Sequence, residues 1–489
     1  MAPQLDCYAG HFTTTPVPPD PSSLLRGFLT DHPRVRFVRL QWQDYSGLLR
    51  ARLVVPSHLL TLMVTNTPVH MPPIAFHCIV DNTLLPNVNP TGNHFLIPDW
   101  ASLRLLPGAA HPTAVVMCGV LATTPGCSLP DLSLCPRRAL ASIVHHAEHH
   151  LNLDFRVGFE VEFEVFHRAV PPIPSQSNSA HSPITSELFP ASTSLGRFAA
   201  DGLRADIFVF LEEAVHTLLD AGVGIQTMQT EGRRGQYELS LAPRPPLDAI
   251  DELVLVHDTL KRMLARHGLV VTMAPRPIAN RRQATGQHTH FSVSRPEVAT
   301  EFLAGILGRL PGLCAVCLPY EVSYERVQPY LGGEVVAWGT EDRTVPMRAV
   351  GPGHWEMRCV DATANMYLAL AAVLGAGVLG VENGEALQWR DSSNRTNSAC
   401  RDGYGSRCSM NANSKANGVL AGLKSLADEV PLPRSLDAAL DLLEKEIVPL
   451  SRIMDSAPLE QFLRVKRFER STLARMDSDD VRTMLAELF

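Results

Sequence analysis

The chain has 489 residues, enough for two or three domains and a large buried core. Hydrophobic residues make up 45% and the mean hydropathy is +0.02, the balance of an ordinary globular protein. A net charge of −7 argues against a generic nucleic-acid binder or a basic membrane-surface protein, and no basic patch leads into an apolar signal core. The ten cysteines are scattered without framework spacing, which points to reduced thiols in a reducing, cytoplasmic compartment.

In chain order, residues 1–20 read as a loose Thr/Pro-rich tail. Val35 to Val55 reads as two strands around a turn at Asp44-Tyr-Ser-Gly47. Further strands are expected at Leu96–Asp99 and Ala114–Val120, and Pro125–Pro136 reads as a loop at a domain boundary. A helix follows over Arg137–Leu151, carrying His145, His146, His149 and His150 on what reads as a polar face. An apolar strand covers Phe155–Phe166, and a Pro/Ser-rich insertion runs from about 170 to 196. Helices are expected at Ala205–Ala221, Asp248–His267, Glu301–Leu318, Ala362–Val381, Ser435–Ile447 and Asp479–Leu488. Strands are expected at Gly224–Gln229, Gln236–Leu241, Leu269–Ala274 and His288–Val293. Met366–Val381 is too short for an easy membrane span and reads as a buried helix. Cys314-Ala-Val-Cys317 lacks a second cysteine pair and reads as packing cysteines. Interleaved helices and strands without parallel βαβ regularity give an α+β class with a curved antiparallel sheet.

The chemistry begins in Gly158-Phe-Glu-Val-Glu-Phe163. Side chains two apart on a strand share a face, so Glu160 and Glu162 stand together and repel unless a cation joins them. Alone the pair is equally an exposed acidic strand face. Downstream, Glu231 and Glu238 bracket Thr230–Glu238, His288 and His290 lie two apart, and Glu356 lies two from Arg358. Carboxylate-rich ligation without thiolates or a histidine majority selects Mg²⁺ or Mn²⁺ over Zn²⁺. Arg326, Arg343, Arg348 and Arg358 add forked guanidiniums suited to phosphate and carboxylate oxygens. Metals with arginines, without a Ser-His-Asp set or a Walker loop, point to phosphoryl transfer.

The order of these motifs resembles the glutamine synthetase family, from about residue 25 to 475. Carrying the likeness are the first acidic strand, Glu231 through Glu238, Thr285-Gly-Gln-His288 with Ser292, Ser323-Tyr-Glu-Arg326 with Trp338, Gly339 and Arg343, and Glu356-Met-Arg358 with Asp361–Asn365. Asp44–Gly47 with Arg50, and Pro98-Asp99 with Arg104, resemble the small N-terminal domain. The closest likeness in character is to the fungal glutamine synthetase-like and gamma-glutamyl amine ligase members. The resemblance implies a β-grasp-like N-terminal domain over 21–130 and a catalytic domain over 131–489, its curved sheet flanked by helices. It implies that Glu162, Glu231 and Glu238 bind one ion, and that Glu160, His288 and Glu356 bind another that bridges ATP phosphates. His290 and Ser292, with Arg343 and Arg348, would contact the nucleotide. Arg326 and Arg358 would hold the amino-acid carboxylates, and Arg343 and Arg348 would stabilise the transferring phosphoryl group. Asp44 would reach a neighbouring subunit's site in a homo-oligomeric ring and help deprotonate the incoming nitrogen.

The sequence also departs from the family. Gln283-Ala284 stands where Asn-Gly usually touches glutamate, Arg276 replaces a lysine, and His354 replaces an arginine. Arg233-Arg234 interrupts the usual Gly-Pro-Gly-Gln, and Gly332-Gly333 stands near the place of the glutamate flap that favours ammonium, with Glu334 available only by a shift of register. The metal set is complete while the amino-acid and ammonia positions have drifted. The expected activity is therefore an ATP-dependent ligase joining glutamate, or a similar acid, to an amine larger than ammonia. Ammonia-dependent glutamine synthesis and a catalytically silent structural or regulatory relative are the alternatives. Against silence stands the retention of clustered carboxylates that cost stability when unpaired. A His-x-His amidohydrolase is disfavoured because His288 and His290 come late in the chain, amid the glutamates.

Overall fold

The computed structural model describes residues 20–88, 91–122, 132–168, 188–279, 284–393 and 429–489. The tail before them, most of the insertion expected at 170–196, most of the boundary expected at 125–136, and Gln283 lie outside the described residues.

The chain opens with α1 (Pro21–Asp31), the hairpin β1 (Val38–Gln43) and β2 (Leu49–Val54), α2 (Pro56–Val64), β3 (Val69–Met71), β4 (His94–Pro98), β5 (Arg104–Leu105) and β6 (Ala114–Leu121). Next come α3 (Pro136–Leu151), β7 (Phe155–Arg168), β8 (Leu188–Pro190), α4 (Phe208–Asp220), β9 (Ile225–Thr230), β10 (Gln236–Leu241), α5 (Pro246–Ala265), β11 (Leu269–Thr272) and β12 (Gln287–Val293). They lead to α6 (Ala299–Cys317), β13 (Trp338–Thr340), β14 (Met347–Gly351), β15 (His354–Met357) and α7 (Met366–Glu382). Three further helices cover Leu436–Leu450, Ala457–Leu473 and Ser478–Leu488.

The class is α+β. A first sheet runs β2-β1-β6-β4-β3, with β5 on β6. A larger sheet runs β13-β14-β15-β12-β7-β10-β9, with β8 and β11 also on β7. Pairing is antiparallel except for β1 with β6 and β13 with β14. The larger sheet's register shifts at Ser240/Leu241 and Ala349/Gly351, irregularities of the kind that bend a strand.

β7 is the axis of the larger sheet because its alternation is complete. Val157, Phe159, Val161, Phe163 and Val165 all point into the core, where α5 packs on the strand. Burying each such side chain contributes roughly 1.5–3 kcal/mol, which fixes the register, since a slip of one residue would turn the whole set to the other face. The opposite face of β7 is thereby committed to Gly158, Glu160, Glu162 and Glu164.

α7 is the expected buried helix, starting at Met366 because Asn365 caps it by accepting from the Leu368 amide. It crosses α6 at close range: a Cβ on Gly305 would meet the Ala376 carbonyl at 2.2 Å and Gly380 Cα at 2.8 Å. That approach explains the Ala/Gly-rich run. Residues 296–317 include one helix long and apolar enough to cross a membrane, but 72% of its apolar window is buried inside the chain. Cys314 and Cys317 lie in this helix, buried beside Cys359, and the six described cysteines are free.

Candidate active site

Strand register brings the expected residues onto one face. Glu160 of β7 faces His288 of β12 and Ser240 of β10, Glu162 faces Glu238, and Glu164 faces Gln236. One step along, His290 of β12 faces Glu356 of β15, which faces Arg348 of β14. Sequence-distant acidic and basic residues thus form adjoining rows across five strands.

Glu160, His288 and Glu356 each offer a ligand atom within 4.8 Å of the others, the one such group of three among the described residues. His288 Nδ1 is 2.9 Å from Glu160 Oε2 and 3.2 Å from Glu356 Oε1. Burial would raise Glu160, yet hydrogen bonds from His288 and His290 hold it well below the usual carboxylate range. Burial also works against ionisation of Glu356, but His288 and Arg358 outweigh it and its pKa is lowered. Arg348 Nη1 donates to Glu356 Oε2 at 2.8 Å, and Arg358 pairs with the same carboxylate.

Glu162, Glu231 and Glu238 adjoin this group without converging as closely. Glu162 accepts from the Gly286 amide at 2.9 Å and lies 3.8 Å from His288 Nε2. Gln229 Nε2 bridges Glu231 at 3.5 Å and Glu238 at 3.1 Å. Burial, then the charges of Glu160, Glu162 and Glu231, push Glu238 up to about 9. Burial and Glu162 raise Glu231, whose Oε2 meets Arg197 Nε at 2.9 Å. Crowded carboxylate oxygens are the donor chemistry that a hard cation such as Mg²⁺ or Mn²⁺ would suit.

The arginines divide. Arg326 is 1% exposed, donates to the Arg358 carbonyl at 3.1 Å, and has no partner for its Nε among the described residues. Burial lowers its pKa, and a Cβ on Gly286 would sit 2.6 Å from its Nη2, so glycine there makes room for the guanidinium. Arg348 is shared between Glu356 and Glu341. Arg343 lies on an exposed turn, outside the converged groups.

Beside Glu160 a pocket of about 470 Å³ is lined by Arg156, His290, Ser292 and His354. His290 Nδ1 is 3.2 Å from His354 Nε2. A larger cleft of about 1190 Å³ is lined by Arg197, Gly232, Arg233, Tyr330 and Leu331. Asp44 is elsewhere. It is 1% exposed, and its carboxylate is taken up by Arg50 at 2.7 Å and by the Ser46 and Leu48 amides. On α3, His146 Nε2 meets Glu382 at 2.6 Å, a carboxylate partner that the sequence did not reveal.

Sequence reasoning missed Glu164, Arg233 and Arg197. Glu164 is fully buried and held by Arg233 at 2.8 Å and Thr285 at 3.3 Å. The signal for Glu164 was present, since it is the next residue on the face that Glu160 and Glu162 define. Arg197, by contrast, reaches Glu231 from a segment with no pattern of its own.

The family model "Glutamine synthetase, catalytic domain" matches residues 133–483. Protein fluG of Emericella nidulans is 29% identical over 98% of this chain, which spans 52% of that protein's length. Gamma-glutamylpolyamine synthetase GlnA3 of Streptomyces coelicolor is 30% identical over 75% of this chain and 79% of its own. The solved GmaS/ADP complex shares the fold, with a TM-score of 0.70 at 22% identity over 95% of this chain and 98% of that one. The chain belongs to the glutamine synthetase family and carries a ligase-type catalytic domain related to the glutamate–amine ligases.

Proposed function

We infer that this chain is an ATP-dependent ligase that phosphorylates the side-chain carboxylate of glutamate, or a similar acid, and transfers the acyl group to an amine other than ammonia. The observation that carries this reading is the convergence of Glu160, His288 and Glu356 on one sheet face, with Glu162 and Glu238 facing each other beside them and Glu231 just past β9. Glu160, His288 and Glu356 would hold one ion and Glu162, Glu231 and Glu238 a second. When bound, the ions neutralise charge on the phosphate oxygens.

In this reading ATP occupies the pocket of Arg156, His290, Ser292 and His354, next to the first ion. Arg326 supplies a buried guanidinium with an unmet donor, the complement of a substrate carboxylate, and Arg358 adds a second cation nearby. A carboxylate oxygen of the acid attacks the terminal phosphorus and ADP leaves. The amine nitrogen then attacks the acyl carbon, phosphate departs and the nitrogen loses a proton. Arg348, already seated against Glu356, offsets charge on the transferring group, and Arg343 would join it from its turn.

The acceptor side supports a nucleophile larger than ammonia. Gly332-Gly333 offers no carboxylate, and Glu334 is paired with Arg434 at 2.8 Å instead of guarding the site. The adjoining cleft of about 1190 Å³ is far larger than ammonium requires. Asp44 would act across a subunit interface in a homo-oligomer, a role that requires its release from Arg50. The buried free thiols support a reducing, cytoplasmic setting.

Purified protein with ATP, Mg²⁺ and glutamate, offered pooled primary amines and read by mass for amide products, tests the reading. Amide formation with an amine is expected; turnover with ammonium alone would restore glutamine synthesis. Calorimetry showing no binding of ATP with Mg²⁺ would favour a silent relative.

A further inference from the structure

His290 and His354 reach toward each other across two strands. Ser292 of β12 stands opposite His354 of β15, and His290 stands opposite Glu356, so the two histidines are diagonal neighbours on one sheet face. Both line the pocket of about 470 Å³ beside Glu160. Their rings are tilted by 56° with centroids 5.4 Å apart, so they are not stacked. They meet instead through nitrogens, His290 Nδ1 lying 3.2 Å from His354 Nε2.

The other nitrogen of His290 fixes which of its atoms is free. Nε2 donates to Glu160 Oε1 at 3.3 Å, and a carboxylate only accepts, so this nitrogen carries the hydrogen. In the neutral ring Nδ1 then keeps its lone pair, which faces His354. A carboxylate behind an imidazole is the arrangement that orients a metal-ligating histidine. The spacing agrees. Two nitrogens on one tetrahedral ion, each at about 2.0–2.1 Å, stand roughly 3.3–3.4 Å apart, close to the 3.2 Å between these rings.

An imidazole pair selects a different ion from the carboxylate groups: zinc, copper and nickel suit imidazole, whereas magnesium suits oxygen. Arg348 on the neighbouring β14 is already shared between Glu356 and Glu341, so it leaves no unanswered positive charge beside the pair. We propose that His290 and His354 chelate one transition-metal ion of the Zn²⁺ class, with Glu160 as the outer partner of His290 and the remaining positions open to water or a ligand in the pocket. Glu160 turns Oε1 to His290 and Oε2 to His288, so it joins this site to the Glu160–His288–Glu356 group without giving the new ion a ligand atom. The site does not rest on the ligase reading, because metal binding is read without nucleotide.

The probes are Cu²⁺ and Zn²⁺, each added alone to the full chain in excess Mg²⁺. Pulsed electron paramagnetic resonance with one equivalent of Cu²⁺ counts bound imidazoles, and two are expected; one or none overturns the proposal. α3 also carries histidine pairs at helical spacing, His145 with His149 and His146 with His150, so His354→Gln decides between the places. In that variant the count should fall below two, and calorimetry should show Zn²⁺ binding at least tenfold weaker. His288→Gln should leave the count at two. Hydrogen exchange on the unsubstituted chain depends on no variant's folding, and Zn²⁺ is expected to protect residues 287–293 and 354–357. A count of two that survives His354→Gln, a count lost in His288→Gln, or protection absent from these two strands would each overturn the site.

Discussion

Two of the places where this molecule buries charge do it in opposite ways. In the helix at Ala457–Leu473, Lys466 and Glu469 are 0% and 2% exposed and meet at 2.5 Å. Glu469 also accepts from the Ser46 hydroxyl at 2.9 Å and the Val80 amide at 2.8 Å, while the Tyr320 hydroxyl donates to the Ser46 carbonyl at 2.7 Å. Every charge there is answered within the chain, and the network ties the β1–β2 turn, residue 80, Tyr320 and this helix together. On the carboxylate face, Glu162, Glu231 and Glu238 crowd one another, and Glu238 keeps its proton to about 9. Paired burial holds a fold; crowded carboxylates instead favour binding of a proton or a cation.

The contrast breaks first through activity. Glu160→Gln removes an oxygen donor from the Glu160–His288–Glu356 group and is expected to lower ligase turnover by on the order of 10³-fold. The unfolding midpoint in urea should fall, because His288 and His290 favour the ionised carboxylate, but by less than a fully buried pair would cost, since the residue is 26% exposed and the glutamine can still bond to a histidine. Glu469→Ala should do the reverse. It leaves Lys466 buried without its partner, and urea unfolding should show a loss of about 3–5 kcal/mol. Whatever folded protein remains should keep its metal affinity, since no residue of that network belongs to the carboxylate face. Equal effects of the two substitutions on stability would remove the distinction.

How much of this could be read from the chain follows the same division. The carboxylate face was legible because strand alternation is a local rule: Glu160 and Glu162 announce their common face, and Glu164 continues it. The cross-strand partners came only through resemblance, since nothing local says that β10, β12 and β15 flank β7. The helix at Ala457–Leu473 was not legible because its buried face includes Gln461, Lys466 and Glu469 among Phe462 and Val465, which erases the apolar period. The start of α1 was readable and missed: Asp20 caps it and Pro21 takes the first turn. Asp44 shows what a local pattern leaves out. Its turn was located correctly, but the fact that Arg50 and two amides use up its carboxylate depends on how the hairpin closes.

The last effect is the most diagnostic, because it reads the crowded carboxylates directly. A carboxyl whose folded pKa lies near 9, against an ordinary 4.5, binds a proton in the native state that the unfolded chain releases between those values. The stability it contributes is fully present below about pH 4.5 and is lost as pH rises toward 9, at no more than about 1.4 kcal/mol per pH unit. In the proposed site, a cation bound by Glu162, Glu231 and Glu238 would take the place of that proton. Mg²⁺ binding near neutral pH should therefore release close to one proton, measured by calorimetry in buffers of different ionisation enthalpy. Glu238→Gln should abolish the release and flatten the loss of stability between pH 5 and 9, while the Lys466–Glu469 network keeps the rest of the fold unchanged. If Mg²⁺ binds without proton release, Glu238 is already ionised, and its crowding with Glu160, Glu162 and Glu231 is relieved by some other cation in the chain.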